Sequence, residues 1–132
     1  MQDNTITLQV DVANNGTLVG LSYDRHEEHL NRTRYITPFH SLELRDTLDM
    51  YRTPPKKQGN YKGVSKTAFK FTRDQVVPAV DGTDYTSPLI IEVSGSVPIG
   101  TSPEAKLAIR QRAIAMLDDD AIMDALWDTQ SI

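Results

Sequence analysis

From Ile6 to Val12 apolar and polar residues alternate strictly, the period of a strand with one buried face. Asn14-Asn15-Gly16 follows, three residues that tolerate the positive φ of a hairpin turn, so Leu18 to Tyr23 is the predicted return strand. Asp24 to Asn31 is polar and reads as a loop, and Thr33 to Thr37 as a short strand closed by Pro38. Alternation resumes from Ser41 to Arg52. Leu42, Leu44, Leu48 and Met50 fall on one face, and Glu43, Arg45, Thr47, Asp49 and Tyr51 on the other. Thr53 to Asn60 holds two prolines and a glycine and predicts a turn. Tyr61 to Thr72 is its return strand, Pro78 to Ser87 a polar loop, and Leu89, Ile91, Val93 and Val97 mark a last strand ending at Pro98.

The period then changes. Ser102-Pro103-Glu104 is a helix start, with a serine cap, a proline in the first turn and an acid at the positive end of the helix dipole. The predicted helix runs to Leu117, and Asp118-Asp119-Asp120 breaks it and caps a second one. On a helical wheel Ile109, Ala113 and Met116 lie on one side of the first helix, with Leu107 and Ile114 roughly opposite. A helix that is apolar on two sides is buried on two sides. One sheet covers only one of them, so the second side calls for another subunit. The alternative is a helix held between its own sheet and its own second helix. Strands followed by helices make an α+β fold: a single domain over residues 1–132, with hairpin and antiparallel sheet in 1–98 and two helices in 102–128.

Composition fits one globular domain: 132 residues, 39% hydrophobic and 24% charged. The chain has no cysteine, which excludes disulfides, thiolate metal sites and cysteine nucleophiles. No signal-peptide pattern or membrane-length apolar run is present, so the expectation is a soluble chain made without a secretion signal and without a membrane partner. Net charge is −4, but its distribution is uneven. Between Ser41 and Arg73 eight Lys/Arg stand against three Asp/Glu, and elsewhere six stand against fifteen. Such asymmetry points to one basic surface on an acidic protein.

Catalytic chemistry finds little support. His26-Glu27-Glu28-His29 lacks the four-residue spacing of a metalloprotease helix and reads as a solvated loop. The Asp118–Asp120 run lacks the alternating ligands and glycine of a calcium loop. No enzyme, metal or cofactor is expected. Lys62, Lys66 and Lys70, by contrast, repeat every four residues and share one face if they lie on a strand, beside Arg45, Thr47 and Tyr51 of the preceding strand. Spaced cations, hydroxyls and an aromatic on a sheet face can neutralise phosphates and stack an unpaired base. An ordinary solvated sheet face is the competing account.

The order of these elements resembles the coat proteins of single-stranded RNA bacteriophages of the levivirus type. Asn60-Tyr61-Lys62 with its further lysines is similar to their central RNA-contacting strand. Thr101 to Ala105, Ala115-Met116-Leu117 and Ala121 to Leu126 are similar to their C-terminal segment. The resemblance implies an interlocked homodimer with one continuous sheet, assembled into an icosahedral capsid in the bacterial cytoplasm and found in the virion. It implies a dimer interface through Leu107, Ile109, Ile114, Met116, Leu117, Ile122 and Leu126. It also implies genomic RNA on the inner sheet face, with an RNA hairpin bound there to repress the replicase. The implied contacts are Arg45, Thr47, Tyr51, Asn60, Lys62, Lys66, Lys70 and Glu92. Val76 to Ser87 resembles the loop that gathers at the shell's symmetry axes. A free-standing dimeric RNA-binding regulator is the other reading.

Overall fold

The computed structural model describes residues 3–131. Six strands form one antiparallel sheet in sequence order: β1 (Thr5–Val10), β2 (Val19–His29), β3 (Arg32–Ile36), β4 (Asp46–Thr53), β5 (Val64–Pro78) and β6 (Asp84–Pro98). Two helices follow, α1 (Pro103–Asp118) and α2 (Asp120–Asp128). Ser102 caps α1 by accepting from the Ala105 N–H, and Asp119 caps α2 by accepting from Ile122.

Four boundaries differ from the sequence expectation. Asp24 to His29, expected as loop, belongs to β2, where its charged side chains pair with those of β3. Ser41 to Arg45 does not join a strand: Ser41 and Leu44 bond to each other in a local turn, and Leu42 is wholly exposed. At the next turn β5 begins only at Val64. Gly63 has φ +95°, and a Cβ there would lie 2.6 Å from the Lys56 carbonyl oxygen, so the chain turns back against itself before pairing starts. Finally, the expected loop from Pro78 to Ser87 shrinks to Ala79–Thr83, because the β5–β6 ladder continues to Pro78 opposite Asp84.

The β1–β2 hairpin folds over one side of the sheet. His26 is an extra residue without an opposing partner in the β2–β3 ladder, a bulge that bends the strand. Beyond it, Tyr23 of β2 packs against Phe71 of β5, ring centroids 6.0 Å apart. In a flat sheet these strands would lie about 14 Å apart. Tyr23, Tyr35 and Leu48 form the buried core, with Ile6, Leu8, Leu21, Met50 and Phe71 packed around them. The Tyr35 hydroxyl donates to the Asp3 carbonyl, and burial pushes the Tyr23 phenol above its ordinary range.

This core is small for the chain's length. Large apolar side chains remain exposed on the same sheet side, among them Phe69 and Leu89. α1 packs with α2, and none of its described residues is buried. Leu107 and Ile114 on one side of α1, and Ile109 and Met116 on the other, all stay exposed. A groove of about 730 Å³ on this side is lined in part by Met50, Phe69, Val93 and Arg110 of α1.

Candidate nucleic-acid interface

The opposite side of the sheet is polar, and cross-strand register decides which side chains share it. β4 and β5 place Asp49 against Lys70, Tyr51 against Ala68, and Thr53 against Lys66. β5 and β6 place Lys66 against Ser96, Ala68 against Ser94, and Lys70 against Glu92. Thr47, Tyr51, Lys66, Lys70 and Glu92 therefore project from one face, as the alternation of the chain requires.

The remaining sequence candidates sit elsewhere. Arg45 precedes β4, and its guanidinium donates from Nε and Nη2 to the Asp74 carboxylate, at 3.0 and 3.1 Å. Asn60 and Lys62 lie in the turn between β4 and β5, outside the ladder. The three-lysine ladder thus reduces to Lys66 and Lys70. Thr47, only 4% exposed, is packed within the sheet face opposite Thr72.

Across five strands the register lines up Glu27, Arg34, Asp49, Lys70 and Glu92, a row of alternating charge on the polar face. At its centre Asp49 is 1% exposed. Arg34 holds it through two bonds, Nε at 2.7 Å and Nη2 at 3.3 Å, and the Tyr51 hydroxyl donates to it at 3.4 Å. The bond to Asp49 raises the Arg34 pKa further. Two charged hydrogen bonds satisfy the carboxylate that burial would otherwise penalise. Sequence alternation placed Asp49 on this face, but only the register pairs it with Arg34 on β3.

This row holds three acids against two bases, so the face's free positive charge lies to one side of it. Lys70 is hemmed by Asp49 and Glu92, while Lys66 faces Thr53 and Ser96, both uncharged. Beside Lys66 lies a shallow depression of about 290 Å³, lined in part by Tyr51, Lys66, Ala68, Ser94 and Ser96. The small Ala68 leaves the ring of Tyr51 open on that side, and Lys70 Nζ stands 5.7 Å from the ring centroid. A half-buried aromatic beside a lysine and serine hydroxyls can stack a base and hold its phosphate. Among the described residues no group of three or more His, Asp or Glu could hold a metal ion. His26 and His29 instead flank Glu27, at 3.9 and 3.5 Å. No helix among the described residues is long and apolar enough to cross a membrane.

This architecture matches solved structures over its full length. A chain from the virus-like particle of bacteriophage AVE019 aligns with a TM-score of 0.72, covering 100% of this chain and 98% of that one. One from the virus-like particle of Wenzhou levi-like virus 4 aligns with a TM-score of 0.75, covering 98% and 88%. The chain has the levivirus-type coat-protein fold. Identity is only 18% and 17% in these two pairs, so this fold is kept here by pattern and register more than by particular residues. A third particle, that of bacteriophage ESE058, shares the fold at 12% identity, covering 100% and 99% with a TM-score of 0.70. No family model and no curated protein matches the sequence.

Proposed function

We propose that this chain is the coat subunit of a single-stranded RNA phage, which dimerises and closes into an icosahedral capsid around RNA. The observation that carries this reading is the unfinished core. A chain of this length leaves α1 without one buried residue and one side of its sheet open, in a fold it shares with subunits of virus-like particles. A second copy completes it: the exposed Leu107, Ile109, Ile114, Met116, Leu117 and Ile122, with the half-buried Leu126, pack over the partner's sheet. Burying apolar surface at roughly 25 cal/mol per Å² gives such an exchange a large driving force.

In this reading the polar face turns inward to the RNA. Lys66 contacts phosphate, Tyr51 stacks an unpaired base, and Lys70 and Glu92 border that base's site. Asn60 and Lys62 reach the RNA from the β4–β5 turn. Binding of an RNA hairpin by the dimer, with repression of the replicase, rests on the resemblance together with this face. Sedimentation of the protein expressed in bacteria tests the reading, with ultraviolet absorbance followed through the gradient. A fast-sedimenting species with a nucleic-acid spectrum after nuclease treatment supports it. A free-standing regulator would give slow dimers that bind added RNA and never sediment fast.

A further inference from the structure

The β3–β4 ladder ends on an imidazole where a carbonyl is expected. Ile36 opposes Thr47, so Thr37 and Asp46 are the next pair along. A hydrogen-bonded antiparallel pair exchanges two backbone bonds. One of them is present: the Thr37 N–H donates to the Asp46 carbonyl at 3.3 Å. The other is replaced. The Asp46 N–H donates to His40 Nδ1 at 3.1 Å, and the Thr37 carbonyl accepts instead from the His40 N–H, also at 3.1 Å. His40 has in effect entered the last rung of the ladder. Beyond it Ser41 and Leu44 bond to each other, and Phe39 and Leu42 stand exposed on the loop.

This arrangement requires a neutral ring. A nitrogen that accepts carries no hydrogen, so the one ring proton of His40 sits on Nε2. Charging the imidazole puts a proton on Nδ1, and two donors then face each other. Imidazole is the side chain whose ordinary charge change falls between about pH 5 and 8. Facing the ring are His26 of β2, 6.2 Å away between centroids, Asp46 of β4 and Asp74 of β5. His26 lies 3.9 Å from Glu27, and Asp46 stands opposite Arg73 in the ladder. Bonds from the Arg45 side chain and backbone hold Asp74 below the usual carboxylate range, with a smaller push from His40. Asp74 therefore keeps its charge over the range in which an imidazole gains one.

We infer that His40 is an acid-released latch on the loop between β3 and β4. With its ring neutral it occupies the rung. With its ring charged it leaves, the Asp46 N–H passes to the Thr37 carbonyl, and the ladder gains its missing bond. The Thr37 carbonyl and the Asp46 N–H are bonded in both states, so release leaves no orphan between the strands. Only the His40 N–H passes to water. The loop from Pro38 to Arg45 shifts with it, and Phe39 and Leu42 lose their neutral-pH positions. The device lies within one chain and works in any assembly state.

Hydrogen exchange read by mass spectrometry follows the release in the peptide spanning Phe39 to Leu44, with or without assembly. After correction for the intrinsic pH dependence, protection at the His40 amide is expected to fall about tenfold from about pH 7.5 to 5.5. In His40→Asn the side-chain oxygen replaces Nδ1 as acceptor and does not titrate, so protection should stay level. His26→Gln should keep the fall, because the trigger is the His40 ring. Protection that stays constant in the parent over this range would overturn the latch. An equal fall in His40→Asn would overturn it too, as would a fall that disappears in His26→Gln.

Discussion

Tyr23 and Phe71 pack with their rings tilted by 58° although β3 and β4 lie between their strands, and this contact holds the β1–β2 hairpin down on the sheet. Replacing Tyr23 with alanine empties a buried site and frees the hairpin. The expected loss is about 3–5 kcal/mol, read from urea unfolding, with Tyr23→Phe close to wild type. A Tyr23→Ala protein as stable as the parent would show that the hairpin does not pack there.

The Arg34–Asp49 pair makes a second prediction. Arg34→Ala leaves the Asp49 carboxylate buried with one weak donor, at an expected cost of about 2–4 kcal/mol. Removing both charges in an Arg34→Met, Asp49→Leu protein is expected to cost less than the sum of the single changes. A double-mutant cycle on thermal or urea unfolding measures the difference. Strict additivity would mean the two side chains do not interact.

Arg45 and Asp74 predict an acid limb. Bonding to the Arg45 side chain, and then to its backbone N–H, lowers the Asp74 pKa below the usual carboxylate range. The pair's contribution is thus complete above about pH 4 and fades as pH falls through the depressed value. Stability measured from pH 6 down to pH 2 should fall less steeply in Arg45→Ala than in the parent. Identical slopes would remove the pair from the account.

The two lysines of the polar face are predicted to differ. Lys66 has uncharged neighbours, so Lys66→Ala should lower the slope of log affinity against log salt by about 0.7 for single-stranded RNA. Lys70 is already balanced by Asp49 and Glu92, so Lys70→Ala should change that slope less. Tyr51→Ala should weaken binding by about 1–3 kcal/mol without changing the slope. Equal slope changes for the two lysines would contradict the charge row.

Local patterns made much of this fold legible in the sequence. The alternation from Ile6, the Asn-Asn-Gly turn and the Ser102 and Asp119 caps all stand where the residues placed them. A strand reads as a loop where its polar residues are matched by those of a partner strand. Glu27 and Arg34 oppose each other in a β2–β3 ladder that a loop reading of Asp24 to Asn31 does not contain. Thr47 and Tyr51 were placed on the right face by period alone. The reduction of the lysine ladder depended on Gly63, whose positive φ ends the strand pattern just before β5. Asp49's role was hidden because its partner, Arg34, lies fifteen positions away.

Assembly is the central claim, and electron microscopy of the protein purified from bacteria without denaturant tests it most directly. Closed, uniform icosahedral particles are the predicted result, formed without any covalent cross-link because the chain has no cysteine. A field of small oligomers, with no closed shell at any protein concentration, ionic strength or RNA supplement, would contradict it.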